Sequence, residues 1–278
     1  MFTYVELSNF KSFGHIRFDF KKSKNDCKKF VAIYGENGSG KSNFVSAIEL
    51  LSHLTTSFVS MLQIEHYKKI FEENKNNPDF LKAIIDTPSD DIASKLKKCR
   101  MIDSNEPTKI KYGFSIDNVE GYYSIVFDEK NIIEEELYYL TNKQRGILYH
   151  IEKENQEIQY NFSSYLFKTE NYKKQMMEKI NMYWGKHSFL ALVLAEKRSK
   201  NEKFIYDNLS INMLKVLDCF MHVFILCKAT NSLHTGIICG SNISISDFDN
   251  INIESNDKKK LQLLHKIEKI IKNFYVQA

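Results

Sequence analysis

The segment Gly35-Glu36-Asn37-Gly38-Ser39-Gly40-Lys41-Ser42 has the spacing Gly-x-x-x-x-Gly-Lys-Ser. That spacing suits phosphate chemistry. Glycines admit positive φ angles, so successive backbone N–H groups can converge on anionic oxygens. Lys41 is placed to reach β- and γ-phosphates, and the Ser42 hydroxyl to ligate Mg²⁺. A helix starting near Lys41 adds its positive end. A helix N-terminus contributes about 0.3–1 kcal/mol, whereas micromolar binding needs about 8 kcal/mol. The loop therefore has to act as a whole. The ligand it predicts is a nucleoside triphosphate, ATP with Mg²⁺.

Such a loop needs a strand to deliver it and a helix to receive it. Residues 29–34, Lys-Phe-Val-Ala-Ile-Tyr, form an apolar run with little alternation, which predicts a strand buried on both faces of a sheet. After the loop, Phe44, Ile48, Leu51, Leu54 or Thr55, Phe58 and Leu62 recur at helical spacing, predicting a helix to about residue 70. Ahead of it, residues 3–9 and 15–20 alternate as strands, with Ile16, Phe18 and Phe20 on one face.

Residues 75–106 are polar and predict short helices joined by loops. Five strand patterns follow, at 109–116, 121–127, 132–140, 146–152 and 157–162. Asp117-Asn118, Asp128-Glu129-Lys130-Asn131 and Thr141-Asn142-Lys143 break the first four, which predicts an antiparallel meander. Helical patterns follow at 165–182, 187–198 and 203–230, then strand or loop at 236–253, then a basic amphipathic helix at 256–275. The expected division is a nucleotide-binding lobe over 1–162, with a helical insertion at about 70–106, and a mainly helical region over 163–278.

Composition bounds the rest. The chain has 278 residues, 43% hydrophobic and 27% charged, as globular proteins do. It has only 10 glycines, which makes the cluster Gly35, Gly38, Gly40 more telling. A net charge of +4 is too mild to demand a nucleic-acid partner. The 5 cysteines form no Cys-x-x-Cys pair, so neither a disulfide framework nor a zinc knuckle is predicted, and a reducing cytoplasm fits. No basic-then-apolar leader opens the chain and no run of about 18 apolar residues is seen, so no membrane partner is expected. The 8 histidines are scattered without metal-ligand spacing. His187 and His222 lie in helical patterns and read as structural or surface residues, and Trp184 as a core residue.

The segment Leu7-Ser8-Asn9-Phe10-Lys11-Ser12-Phe13-Gly14, followed by Gly-Glu-Asn-Gly-Ser-Gly-Lys-Ser-Asn and Ala47-Ile48, closely resembles the N-terminal lobe of ABC-type ATPase heads. These are the RecF-, SMC- and OLD-like ATPases, including AAA-annotated members of bacterial defence systems. The clear match covers residues 1–60, and a weaker one extends through the meander to residue 160. The resemblance implies an α/β P-loop NTPase fold, ABC-ATPase-like, with an antiparallel β-meander and a helical C-terminal region. It implies that Lys11 approaches the nucleotide phosphates and that Asn37, Gly38, Ser39, Gly40, Lys41, Ser42 and Asn43 bind nucleotide. It implies ATP and Mg²⁺ as cofactors, with Ser42 as metal ligand, and ATP hydrolysis on dimerisation of two heads or with a partner ATPase subunit. DNA or an effector protein is the further partner it suggests, in DNA repair or antiphage defence. A glutamine near Mg²⁺ is also implied, with Gln63, Gln144, Gln156 and Gln159 as candidates.

The family's hydrolytic parts are not visible. The only Ser-Gly pair is Ser39-Gly40, inside the loop, so no second signature stands out. Ser124-Ile125-Val126-Phe127-Asp128-Glu129 reads like an apolar strand ending in a Mg²⁺-binding Asp128 and a general-base Glu129. It also reads as a meander strand running into a polar turn, and the turn is the favoured reading. Leu190–Glu196 is a poorer imitation with a helical pattern. Two functions therefore stay open: an ATPase that takes its hydrolytic residues from elsewhere, or a non-hydrolysing ATP-sensing module.

Overall fold

A computed structural model of the chain describes residues 1–23, 26–28, 31, 33, 35–73 and 92–221. Its frame is a seven-stranded sheet in the order β2-β1-β5-β6-β7-β8-β9. β1 (Phe2–Phe10) and β2 (Phe13–Asp19) form a hairpin, and a short pair, β3 (Lys21–Ser23) with β4 (Asp26–Cys27), follows. α1 (Lys41–Glu73) leaves the phosphate loop, and α2 (Ile92–Cys99) precedes the meander. The meander is β5 (Thr108–Ile116), β6 (Val119–Phe127), β7 (Ile132–Leu140), β8 (Arg145–Glu154) and β9 (Glu157–Phe162). α3 (Glu170–Tyr183), α4 (Phe189–Ser199), α5 (Glu202–Asn208) and α6 (Ile211–Met221) complete the described chain.

Turn chemistry sets the meander. Asp117 and Asn118 take φ of 52° and 60°, and Asn155 and Gln156 take 48° and 71°. Two consecutive left-handed residues match the right-handed twist of the flanking strands, and Asn and Asp tolerate that conformation best. Each strand then turns alternate residues inward. Ile110, Tyr112 and Phe114 of β5 lie beside Tyr123, Ile125 and Phe127 of β6, all fully buried.

The helices cover this face. On α1, Phe44, Ala47, Leu51, Leu54 and Phe58 are buried at spacings of three and four, so the predicted stripe is the packed one. Leu62, the last of that stripe, is exposed. Each buried Leu or Phe contributes roughly 1.5–3 kcal/mol. Tyr112 Oη donates to Ala47 O at 2.6 Å, fixing α1 to β5, and Ser188 Oγ donates to Leu54 O at 2.8 Å, fixing α4 to α1. Phe220 of α6 packs edge-on against Phe114, and Phe189 of α4 against Tyr149. The helices after residue 163 thus bury into the same core as the meander.

Three expectations differ from the structure. Of residues 29–34, expected as a strand buried on both faces, only 31 and 33 are described: Val31 and Ile33 are 43% and 38% exposed and lie in no strand, and the other four lie outside the described residues. Every ladder of the described sheet is antiparallel. Of the pattern read as one helix over 203–230, the part up to residue 221 is described and forms two helices, α5 and α6. Between them Ser210 N donates to Leu166 O at 2.9 Å, and Leu209 bridges Phe167, so the chain is pulled straight by the segment it crosses. Finally, Lys41–His66 of α1 is long and apolar enough to span a membrane by length and composition, where the sequence predicts no such run, and 44% of its window is buried inside the fold. The patterns at 236–253 and 256–275, and His222, lie outside the described residues.

Candidate functional site

The β1–β2 hairpin and α1 meet at the loop of residues 35–40, and both contact it. Gly38 and Gly40 take φ of 86° and 91°, values that cost an L-residue about 1–2 kcal/mol. Ser39 N donates to Glu36 O at 3.2 Å, closing a turn, and Phe44 N donates to Gly40 O at 3.0 Å, starting α1. An ideal Cβ on Gly40 would lie 2.5 Å from Phe13 Cζ, so the ring of β2 sits directly against the loop backbone. Phe13 is held in turn by Phe18, and Phe18 by Phe44, with ring centroids 6.0 and 4.5 Å apart.

Lys41 points back into the loop. Its Nζ donates to Gly35 O at 2.7 Å, Glu36 O at 2.6 Å and Ser39 Oγ at 3.3 Å. The first N–H groups of any helix lack intrahelical acceptors. Elsewhere in the fold side chains satisfy one: Thr169 caps α3, Ser188 caps α4 and Asn201 caps α5. At α1 the cap position is Gly40, and among the described residues no side chain accepts from Lys41, Ser42 or Asn43 N–H. An ammonium group and an uncapped helix start therefore face the same exposed loop, a combination that favours an anion.

Lys11 and Asn43 strap the hairpin turn to α1. Lys11 Nζ donates to Ser46 Oγ at 2.7 Å, and Ser46 Oγ donates to Ser42 O at 3.0 Å. Asn43 Nδ2 donates to Ser12 Oγ at 2.7 Å. Lys11 has a left-handed φ of 49°, and its N–H donates to Cys99 O at 2.9 Å, so α2 supports the turn from behind. Burial pushes the Cys99 thiol up to about 11, leaving it protonated and unreactive. Ser12 and Ser46 escaped the sequence reading; the four-residue step from Ser42 to Ser46 on one helix face was the available signal.

The other candidates lie apart. Asp128 and Glu129 form the β6–β7 turn. Asp128 Oδ1 accepts Lys130 N–H and Asn131 N–H at 2.7 Å each, which makes it the turn's own cap. Glu129 Oε1 is 3.2 Å from Lys97 Nζ of α2. The register places this turn at the same end of the strands as Lys11, with β5 between β1 and β6, hence about 10 Å away at one strand spacing of about 4.8 Å each. Of the glutamines, Gln144 lies at the opposite end, and Gln156 is in the β8–β9 turn, about 19 Å from β1 by the same spacing. Gln159 is exposed on β9, and Gln63 lies about 30 Å from Ser42 along α1 at 1.5 Å per residue. None of the four adjoins Ser42.

One polar centre was not foreseen. Glu135 is fully buried beneath α4. Its carboxylate accepts Tyr123 Oη at 3.1 Å, Tyr149 Oη at 3.0 Å, Trp184 Nε1 at 2.8 Å and Phe189 N–H at 2.7 Å. Burial raises its pKa, and the Phe189, Trp184 and tyrosine hydrogen bonds oppose the rise. Every acceptor direction is used, so the group is a structural anchor for the start of α4 rather than a reactive acid. Trp184 is the core residue expected of it, and His187 is buried against Phe58 with its Nδ1 3.1 Å from Ser57 Oγ.

Comparison with protein-family models, with curated proteins and with solved structures gives no match for this chain.

Proposed function

We propose that residues 35–42 bind the phosphates of MgATP, with Lys41 on the terminal phosphates, Ser42 on Mg²⁺ and the Gly38–Asn43 backbone around the oxygens. The observation that carries this reading is the position of Lys41 Nζ, inside the loop and against Gly35 O and Glu36 O, beside the uncapped start of α1. On phosphate binding the ammonium exchanges carbonyl partners for anionic oxygens, so hydrogen bonds with one charged partner become hydrogen bonds with two. Bound Mg²⁺ supplies charge neutralisation of the phosphate oxygens. Lys11, whose Nζ is held by Ser46 one turn beyond Ser42, would supply a second cation to the phosphates.

With the resemblance in the first 60 residues, the wider reading is a P-loop ATPase head of the RecF-, SMC- or OLD-like kind. It is cytoplasmic, pairs with a second head or a partner ATPase around ATP, and serves a DNA-repair or antiphage assembly. A second reading, a non-hydrolysing ATP sensor, is favoured by the engagement of Asp128 with its own turn and of Glu129 with Lys97. The test of the shared core is calorimetry with MgATP. Lys41→Ala is expected to weaken binding at least about tenfold, the worth of one charge-assisted contact. Unchanged affinity in a folded Lys41→Ala protein removes the site.

A further inference from the structure

The two strands that end the seven-stranded sheet are unlike. β2 carries exposed His15, Arg17 and Asp19, and charges on an edge strand discourage pairing with another chain. β9 has no Lys, Arg or Pro, and from Ile158 to Phe162 it has no charge at all. Ser163 N–H donates to Leu148 O at 2.9 Å, and hydrogen-bonded pairs alternate along an antiparallel ladder. With Asn161 opposite His150 and Gln159 opposite Glu152, those two residues turn their backbone groups toward β8. Ile158, Tyr160 and Phe162 turn theirs outward, and among the described residues no strand meets them.

We propose that this edge pairs with β9 of a second copy of the chain, antiparallel, about a two-fold axis at Tyr160. An axis normal to the sheet keeps each side chain on its own face, so partners must alternate in step. Centred on Tyr160, Ile158 of each copy stands opposite Phe162 of the other, and Tyr160 stands opposite itself. All of these are outward-facing residues, so each donates and accepts across the axis. Their side chains share the half-buried face, where Tyr160 and Phe162 already stack at 5.3 Å. On the exposed face Gln159 meets Asn161, two amides that can pair, and Glu157 meets Ser163. No like charges oppose one another. Centring on Gln159 instead leaves the outward groups of Phe162 unpaired. The self-complementarity thus selects both the partner and the register.

Two strands this short bury less than the ~1,200 Å² of a standard interface, so the dimer is expected to be weak and concentration-dependent. It needs no nucleotide and is independent of any pairing of heads around ATP.

The test is sedimentation equilibrium of the full chain without nucleotide, over a hundredfold concentration range, with hydrogen exchange at both ends of the range. A monomer–dimer equilibrium is expected, with protection of Ile158, Tyr160 and Phe162 N–H that grows with concentration. Gln159→Lys with Asn161→Lys sets lysines opposite each other at exposed positions and is expected to weaken the dimer at least tenfold. Tyr160→Pro removes an outward N–H while sparing the ladder to β8, and is expected to do the same. A dimer unaffected by the lysine pair overturns the proposal, as does a chain that stays monomeric throughout. Protection of these N–H groups at every concentration would assign the edge to another segment of the same chain and also overturn it.

Discussion

The ring of Phe13 occupies the space a side chain on Gly40 would need, 2.5 Å from the ideal Cβ position. The contact joins the β1–β2 hairpin to the phosphate loop at the point where α1 begins. It also means that Gly40 is required twice, once for its φ of 91° and once for the ring.

Gly40→Ala is therefore expected to destabilise the fold by about 1–3 kcal/mol, from left-handed backbone strain plus displacement of Phe13. The two causes separate in a double-mutant cycle measured by urea unfolding. In a Phe13→Ala background the steric part disappears and about 1–2 kcal/mol of backbone cost remains. Full additivity of the two changes would show that the ring and the loop are not coupled.

Glu135 offers a sharper test of the core. Removing its carboxylate strands Tyr123 Oη, Tyr149 Oη, Trp184 Nε1 and Phe189 N–H in a dry interior. A stranded donor costs about 1–3 kcal/mol, so Glu135→Leu is expected to lose about 3–5 kcal/mol, which is diagnostic of a buried network. Glu135→Gln keeps one acceptor oxygen and should lose less. The pH dependence has a definite sign. The folded pKa is raised, so the contribution of Glu135 is complete below its unfolded pKa and is lost as pH rises through the folded one. Chemical denaturation of both variants between pH 4 and 8 checks the order and the slope.

Much of this architecture is legible in the letters, and the exceptions have physical reasons. The meander shows because Asp117-Asn118 is a strong hairpin signal and the strands alternate. The stripe of α1 shows because Phe44, Leu51, Leu54 and Phe58 repeat at helical spacing. Glu134, Glu135 and Glu136 look alike in sequence, yet one is fully buried. Only its parity with Leu137 and Tyr139 distinguishes it, and hydrophobicity argues against burying it. The anchor becomes visible only when Trp184 and the start of α4, some fifty residues on, arrive above it. Val31 and Ile33 differ in the opposite way: they belong to an apolar run that resembles a buried strand, yet both are exposed. At the site itself, Lys41 and Gly40 were readable from spacing, whereas Ser12, Ser46 and the Phe13 contact depend on how the hairpin meets α1.

His187 should make stability fall in mild acid. Burial, with Lys186 nearby, pushes its pKa down to about 4 from an ordinary 6.5. The unfolded chain therefore takes up the proton first. Stability from neutral His187 is complete above pH 6.5 and is lost as pH falls toward about 4. A shift of this size corresponds to about 3 kcal/mol at most, and solvent screening reduces it to about 1–2 kcal/mol. His187→Gln is expected to flatten the decline between pH 6.5 and 4.5 in urea titrations. An unchanged slope would place the titrating group elsewhere.

Glu129→Gln separates the two proposed readings. Glu129 lies at the end of the strands that carries Lys11, but its carboxylate is paired with Lys97 in an exposed turn. A general base must come within about 2.6–3.2 Å of the proton it takes, directly or through one water. At about 10 Å from the β1–β2 turn by strand spacing, and held by α2, it would have to leave Lys97 to do so. The expected result is MgATP affinity within about twofold of wild type and, if the chain turns over ATP, a rate likewise within about twofold, since no transition-state contact is removed. Calorimetry and a phosphate-release assay on the same preparations supply both numbers. Turnover lost with binding intact would instead make Glu129 the base. The β6–β7 turn would then have to close on the loop, and Lys97→Ala, by releasing Glu129, would raise the rate.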